Sequence, residues 1–296
     1  MGRHFHDPMT RTITSDGALA DAEPQLAAVL DVLRQRTGCD FSRYRPATIQ
    51  RRVRNRMISV GVATLHEYLA RLEAVEEEAA YLLARLTIKV SRFYRNSATF
   101  DALRRCVIPE LARRRVGAPL RIWSAGCGNG EEAYSLAMLL EETNVAGSID
   151  ASDIDPMALA TAVTGVYPAE ACQELPPELA ARYLERRCVR GRERYAVRPV
   201  LRRRVRFVRH DLTSGTPPPG RGVFDLVCCR NVLIYLDRGA QQQVLERLRR
   251  ALAPDGFLCL GEAEFPAGPP GASLEPFGPR TFIFREVARC PEGDTA

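Results

Sequence analysis

The residues of this sequence that could do chemistry fall in three polar clusters, each following an apolar run. The first is Gly126-Cys127-Gly128-Asn129-Gly130-Glu131-Glu132, after Leu120–Ala125. Glycine at every second position lets the chain turn sharply and approach a ligand closely, because no Cβ intervenes. The acids that follow suit the positive end of a helix dipole. They also suit a ligand that brings hydroxyls and positive charge rather than a pyrophosphate. That favours a nucleoside carrying a sulfonium, S-adenosylmethionine, over a dinucleotide. The second cluster is Asp153, after Ile149–Ser152. An acid at the second strand end typically holds ribose hydroxyls, although Asp is also a favoured helix N-cap. The third is Arg230, Asn231 and Tyr235, after Phe224–Cys229, where the reacting end of the ligand would lie. His210-Asp211-Leu212 follows a further strand and lies within reach of the adenine. Cys228 and Cys229 read as buried strand residues.

Alternating strands and helices are needed to bring these clusters together. Strands are expected at Leu120–Ala125, Ser148–Ser152, Val205–Val208, Val223–Cys229 and Phe257–Leu260. Helices are expected at Glu131–Thr143, Pro156–Val163 and Arg238–Leu252, with Leu136, Leu139 and Leu140 facing the sheet. Pro254-Asp255-Gly256 reads as a stop and turn, and Thr281–Arg285 is a candidate for closing the sheet. The pattern implies a doubly wound, mostly parallel α/β sheet, whose ligands bind beyond the strands' carboxyl ends. A short antiparallel hairpin, Arg186–Arg190 and Tyr195–Val200 about Gly191, interrupts the alternation. Ahead of the sheet lies a small helical module. Its helices span Pro24–Arg36, Thr48–Val60 stopped by Gly61, a third opened by the capping box Thr64-x-x-Glu67, and Glu76 to about Thr87. The expected divisions are a disordered start at 1–20, a helical domain at 21–90, the sheet domain at 91–288 with its β insertion at about 178–203, and a tail at 289–296.

The chain has 296 residues, 46% of them hydrophobic, enough for one large domain and one small one. No apolar run approaches the roughly 20 residues that cross a bilayer, and no signal-peptide core stands at the start, so a cytoplasmic protein is expected. Net charge is +6. Six of the arginines, Arg43, Arg45, Arg51, Arg52, Arg54 and Arg56, fall between Phe41 and Val60 with no acid among them. A second run holds Arg202, Arg203, Arg204, Arg206 and Arg209. Such patches attract acidic partners, whether nucleic acid or carboxylate-rich protein. Nine cysteines without a C-x-x-C pair read as reduced and mostly buried. His4, His6, His66 and His210 lack ligand spacing, so no metal is expected.

Several of these segments match one family. The sequence resembles the CheR family of chemotaxis receptor methyltransferases from about Phe41 to Glu264. The match runs through Phe41-x-x-Tyr44-Arg45-x-x-Thr48-x-x-Arg51-Arg52, Ser91-Arg92-Phe93-Tyr94-Arg95 and Ile122–Cys127. It continues in Gly130-Glu131-Glu132-x-Tyr134-Ser135, Ser152-Asp153-Ile154-Asp155 and Gly165-Val166-Tyr167, and ends in Cys229–Tyr235 and Gly261-Glu262-Ala263-Glu264. The resemblance implies a class I S-adenosylmethionine-dependent, Rossmann-like methyltransferase domain with an all-helical N-terminal domain and a short antiparallel β insertion. It implies methyl transfer to glutamate side chains of chemoreceptor helices, with S-adenosylhomocysteine as product. By motif position, cofactor contacts fall on Lys89, Ser91, Arg95, Gly126, Gly128, Glu131, Asp153, Asp211, Leu212, Arg230 and Asn231. The residues near the methyl are Arg95 and Tyr235. The receptor-facing basic helix is represented by Arg51, Arg52, Arg54 and Arg56.

The sequence departs from that family at Ser91 to Arg95, where a Thr-x-Phe-Phe-Arg is usual, and at Lys89, Gly128, Asn129 and Ala133. Members that dock on a receptor's C-terminal tether peptide carry a longer, glycine-richer hairpin than the one about Gly191, so tether binding is not expected here. The reading expects a monomer acting on receptor helices without entering the membrane. A nucleic-acid methyltransferase is the rival the basic patches favour, but the sequence has neither an Asn-Pro-Pro-Tyr run nor a Pro-Cys nucleophile. Two further readings stay open: a CheR-like enzyme of a non-motility pathway, and a cofactor-binding adaptor without catalysis. Gly-x-Gly-x-Gly followed by a Cys-Arg-Asn-Val strand end disfavours a nicotinamide dehydrogenase.

Overall fold

The computed structural model describes residues 22–87, 91–115, 117–220, 223–268, 271, 273–278 and 281–287. The expected disordered start, the tail, Lys89, His4 and His6 lie outside the described residues.

Among the described residues, four helices form the first domain: α1 (Ala22–Thr37), α2 (Pro46–Ser59), α3 (Leu65–Ala74) and α4 (Glu78–Leu86). Each buries a stripe at helical spacing. Leu26, Val29 and Leu33 meet Ile49, Val53 and Met57, together with Tyr68, Leu72, Leu82 and Leu86, in one core. The capping box forms as expected, with Thr64 Oγ1 accepting from Glu67 N–H and the Glu67 carboxylate accepting from Thr64 N–H. The α2 stripe explains a departure from expectation. Positions 49, 52, 53, 56 and 57 share one helix face, so Arg52 and Arg56 point inward while Arg51 and Arg54 are exposed. The four arginines do not form a single surface patch.

The second domain is a seven-stranded sheet in the order β6-β2-β1-β7-β8-β10-β9. Its parallel part comprises β1 (Leu120–Ala125), β2 (Gly147–Asp153), β6 (Val205–Arg209), β7 (Phe224–Cys229) and β8 (Leu252–Leu260). β7 is buried along its whole length, as a central strand between helical layers must be, and its one charged residue, Asp225, is paired with Arg115 and accepts from Arg121 N–H. β10 (Ile283–Glu286) and β9 (Leu274–Pro276) add antiparallel strands at the edge. β8 begins five residues earlier than expected. It pairs Leu252 with Phe224, bulges through Pro254–Gly256 with Asp255 at φ 58°, and resumes at Phe257 opposite Leu226.

The helix α5 (Ser97–Ala102) continues through a π-type turn at Leu103–Val107 into α6 (Ile108–Arg114). Pro109 has no N–H to give the ladder, and the wider turn sits immediately before it. Phe100, Leu103, Val107 and Leu111 of this helix share one core with α7 (Glu131–Glu142), which is buried almost all round and not only at Leu136, Leu139 and Leu140. α8 (Pro156–Thr164) and α11 (Arg238–Arg250) are the other long helices, with short turns α9 (Pro177–Tyr183) and α10 (Pro199–Arg202) between them in the chain. The insertion is a three-stranded antiparallel sheet, β3-β5-β4, rather than a bare hairpin. β4 (Leu184–Val189) and β5 (Arg192–Val197) turn at Arg190-Gly191, both at positive φ as a two-residue type I′ hairpin requires. β3 (Val166–Pro168) completes it, so the insertion starts before residue 178.

The two domains are stitched beside the site. Tyr44 bridges Leu236, Arg45 N–H donates to Tyr235 O (2.9 Å), and Asp237 N–H donates to Arg43 O (2.9 Å). Thr87 Oγ1 donates to Asp155 (3.0 Å), and Arg209 donates to Thr37 O.

Candidate active site

The chain leaves β1 for β2 and β6 on one side and returns to β7 and β8 on the other, so the order reverses between β1 and β7. A cavity of about 360 Å³ opens at this switch point, beyond the strands' carboxyl ends. Ser91, Arg95, Gly126, Gly128, Asp153, Asp211, Leu212, Arg230, Asn231 and Tyr235 all line it. Of the expected cofactor and methyl-proximal residues, Glu131 is not among the lining residues but meets Ser91, which is, and Lys89 is not described.

The glycine loop is fixed from β2. Gly126 and Cys127 N–H both donate to Ser152 O (2.7 and 2.9 Å), and Gly128 N–H donates to Asp153 Oδ2 (2.8 Å). Gly126 has φ 78°, and a Cβ there would stand 2.5 Å from Val232 Cγ2. This glycine therefore permits the β1 and β7 loops to touch, besides leaving room for a ligand. Asp153 is not the helix cap; Asp155 is, accepting from Met157 N–H (2.8 Å). Asp153 also accepts from Asp155 N–H through Oδ1 (3.0 Å). Each carboxylate oxygen offers two lone-pair directions, so hydroxyls can be accepted as well.

Two acids open α7, and they differ. Glu132 lines the cavity, accepts from Ser124 Oγ (2.7 Å) and faces Arg230 (3.5 Å). Burial pushes its carboxyl up, and Arg230 with the Ser124 hydroxyl offsets part of that. Glu131 is 3% exposed, and burial pushes its carboxyl up against hydrogen bonds from its own backbone, Ser91 and Asn129. Its Oε2 is buried with no hydrogen-bond partner among the described residues. A buried carboxylate oxygen so placed is costly, and a ligand ammonium would satisfy it. The site fits an adenosyl amino acid: an acid for the ribose, glycines beside it and an acid for the ammonium.

Arg95 sits on a sharply bent segment, Tyr94 at φ 55° and Asn96 at φ 63°. Five hydrogen bonds hold the bend. Phe93 N–H donates to Ala171 O (2.9 Å), Tyr94 N–H to Ser135 Oγ (3.0 Å) and Asn96 N–H to Glu174 (2.9 Å). Arg230 donates to Arg95 O and to Asn96 Oδ1 (2.8 Å each). Arg230 is thus committed to positioning Arg95, and its buried guanidinium lies over Phe100 (5.3 Å). Glu174, in the insertion, carries no motif that would have revealed it.

Tyr235 ends a short 3₁₀ turn, Leu233–Tyr235. Arg52 reaches it from the other domain, its guanidinium 4.5 Å from the ring centroid, and donates to Leu86 O. Arg56 instead makes a bidentate pair with Glu78 (2.8 Å twice) and lies over Tyr81. Burial would raise the Glu78 carboxyl, but Arg56, the Tyr68 hydroxyl and Arg71 together hold it below its usual value. Glu264 anchors the whole β7 loop. Only 3% exposed, its carboxylate accepts from Gly261 N–H (2.7 Å), Asn231 N–H (2.8 Å) and Ile234 N–H (3.2 Å). The Gly261-x-x-Glu264 segment is visible in the sequence, but its positioning role is not. His210 lies edge-on to Trp123 (5.8 Å), and burial lowers its pKa.

A doubly wound sheet with a glycine loop, an acid at the second strand end and a cavity at the switch point defines a class I S-adenosylmethionine-dependent methyltransferase fold. The family model for the CheR methyltransferase SAM binding domain matches residues 89–268, and that for the CheR methyltransferase all-alpha domain matches 24–87. The chain belongs to the CheR methyltransferase family. It is 37% identical over 246 residues to an uncharacterised 104.1 kDa protein of Rhodobacter capsulatus, covering 81% of this chain and 25% of that one. It is 32% identical over 249 residues to a chemotaxis protein methyltransferase of Listeria monocytogenes, covering 83% and 92%. It is 33% identical over 272 residues to the probable biofilm formation methyltransferase WspC of Pseudomonas aeruginosa, covering 88% and 62%. The chain thus spans a quarter of the first relative and under two thirds of the third. Among the described residues no helix is long and apolar enough to cross a membrane.

Proposed function

We propose that this protein transfers the methyl group of S-adenosylmethionine to glutamate side-chain carboxylates on chemoreceptor helices. The products are glutamate methyl esters and S-adenosylhomocysteine. The observation that carries the reading is the division of the cavity. Asp153 and Asp211 line it at the β2 and β6 ends, while Arg95, Asn231 and Tyr235 line it about the β7 end. When bound, the cofactor supplies an electrophilic methyl on a sulfonium. Asp153 receives ribose hydroxyls and Glu131 the ammonium, with Ser91, Gly126, Gly128, Asp211, Leu212 and Asn231 forming the remaining walls.

A glutamate carboxylate, with an ordinary pKa of about 4.3, is already ionised at pH 7, so no general base is needed. The work is orientation and exclusion of water, which can supply roughly 7–11 kcal/mol. Arg95 receives the substrate carboxylate by a charge-assisted bond, and Tyr235 orients it. Arg52, stacked on Tyr235, adds positive charge at the same end. Exposed Arg51 and Arg54 attract the acidic helix that brings the glutamate. The proposal includes a monomer acting in the cytoplasm on receptor helices, without a tether peptide, nucleic acid or metal.

The test is labelled-methyl transfer to membranes bearing the cognate receptor, with S-adenosylhomocysteine calorimetry alongside. Base-labile label on the receptor supports the reading. Label in RNA or DNA with none on protein overturns it, and cofactor binding without turnover on any matched receptor indicates an adaptor. The similarity to a probable biofilm formation methyltransferase favours, as a second reading, the same chemistry on a receptor that governs a response other than motility.

A further inference from the structure

Tyr44 belongs to the helical domain yet lines the cavity of the methyltransferase domain. Its side chain packs against the core of the helical domain, beside Phe41 at 4.7 Å between ring centroids. It also packs against the sheet core that contains Trp123, Leu233 and Leu236. Its backbone bridges Leu236, and the next residue, Arg45, holds Tyr235 O through its N–H (2.9 Å) and Leu236 O through Nε (3.1 Å). One aromatic ring therefore joins two cores and forms part of a ligand wall. Burial first, and then the negative charges of Asp211 and Asp153, push its phenol pKa up. The phenol stays protonated and lies within electrostatic reach of both acids that flank the nucleoside end.

Resting on the cofactor reading above, we infer that Tyr44 closes the cavity over the nucleoside and couples cofactor occupancy to the seating of the helical domain. A flat ring on that wall presents a face to adenine or ribose, and stacking on an aromatic ring is insensitive to base edges. Coupling follows from the same position. A ligand that touches Tyr44 holds segment 43–45 against 235–237, and by linkage whatever holds that segment in place tightens the cofactor. The helical domain then belongs to the binding site itself and is more than an appended adaptor for the substrate.

The test is S-adenosylhomocysteine calorimetry on the full chain with Tyr44→Phe, Tyr44→Leu and Tyr44→Ala, paired with amide hydrogen exchange with and without that nucleoside. Tyr44→Phe should bind within about threefold of wild type. Tyr44→Leu retains apolar contact with both cores but lacks the ring, and should bind about tenfold more weakly while remaining folded at the assay temperature. Tyr44→Ala should lose at least as much affinity. In the wild type, the nucleoside should slow exchange at 43–45 and 235–237 as well as at the glycine loop. Tyr44→Leu binding as tightly as wild type, or protection confined to the glycine loop and Asp153, overturns the inference. Wild-type protein that binds no S-adenosylhomocysteine at all would instead overturn the cofactor reading on which it rests.

Discussion

Glu264 offers the sharpest test of how the reactive end of the site is held. Oε2 accepts from Gly261 and Asn231, and Oε1 accepts from Ile234. Glu264→Gln preserves shape but leaves one acceptor oxygen. Its best arrangement turns that oxygen to Gly261 and Asn231 and sets the amide NH₂ against Ile234 N–H. One charge-assisted bond, about 1.5–3 kcal/mol, is lost, and the two that remain become ordinary neutral ones of roughly half the strength. A loss of about 3–6 kcal/mol in stability follows on the same scale. The kinetic consequence comes from Asn231, a non-glycine residue held at φ 60°, a conformation that costs of order 1–3 kcal/mol and persists only where its surroundings enforce it. With the anchor weakened, Asn231 relaxes and Tyr235, four residues on, moves with it. Methyl transfer should fall about 10–100-fold, equivalent to about 1.4–2.8 kcal/mol of barrier. S-adenosylhomocysteine affinity should fall less, because Gly128, Glu131 and Asp153 are untouched. Urea unfolding, calorimetry and a labelled-methyl assay measure the three quantities. A variant less stable by the expected amount but fully active would refute the claim that this carboxylate sets the reactive geometry.

Four further outcomes follow from the same geometry. Arg95→Ala should lower the methyl-transfer rate by about 100-fold or more (roughly 2.7 kcal/mol) with little change in S-adenosylhomocysteine affinity; a retained rate removes Arg95 from the reaction. Arg51→Ala with Arg54→Ala should weaken binding of a glutamate-rich receptor helix and flatten its salt dependence, read by titration at several salt concentrations, and unchanged binding excludes these residues from the partner surface. Gly126→Ala places a Cβ against Val232 in a left-handed conformation, so it should cost about 2–4 kcal/mol in urea unfolding and weaken the nucleoside. Glu78 has its carboxyl held below the unfolded value, so its contribution is fully present above about pH 4.5 and is lost as pH falls through the lower folded value. Glu78→Gln should remove that acid limb from the thermal-stability profile, and a profile that still falls in the same window would point to other groups.

The α/β alternation can be read from the sequence because parallel strands carry continuous apolar runs and the helices between them carry a 3.6-residue period. Leu120–Ala125 and Phe224–Cys229 are strands within one residue of the expected limits. β9 and β3 cannot be read, being three residues each and defined by their partners rather than by their own pattern. The helix at Ser97–Arg114 carries its period in Phe100, Leu103, Val107 and Leu111, but Pro109 reads as a break unless the ladder can widen before it. Within the site, the strand-end residues are legible because topology alone brings carboxyl ends together. The residues that aim them are not. Glu174 and Glu264 act through backbone N–H groups distant in sequence or in a turn, and no residue-type pattern marks such acceptors.

The placement of the α2 arginines shows how charge must be read with periodicity. Six arginines between Phe41 and Val60 suggest one patch, but Ile49, Val53 and Met57 fix the inner face, and Arg52 and Arg56 fall on it. An inward arginine needs a partner, and the two differ in what they find. Arg56 meets a carboxylate and is neutralised within its own domain. Arg52 meets a carbonyl and an aromatic ring instead, neither of which cancels its charge, and burial lowers its pKa in consequence. A buried cation left uncancelled beside Tyr235 is costly until an anion arrives. On the function proposed above, the incoming substrate carboxylate would be such an anion and the methyl ester would not. The same arginine would then favour the charged substrate over the neutral ester, a physical cause for product release within the first domain.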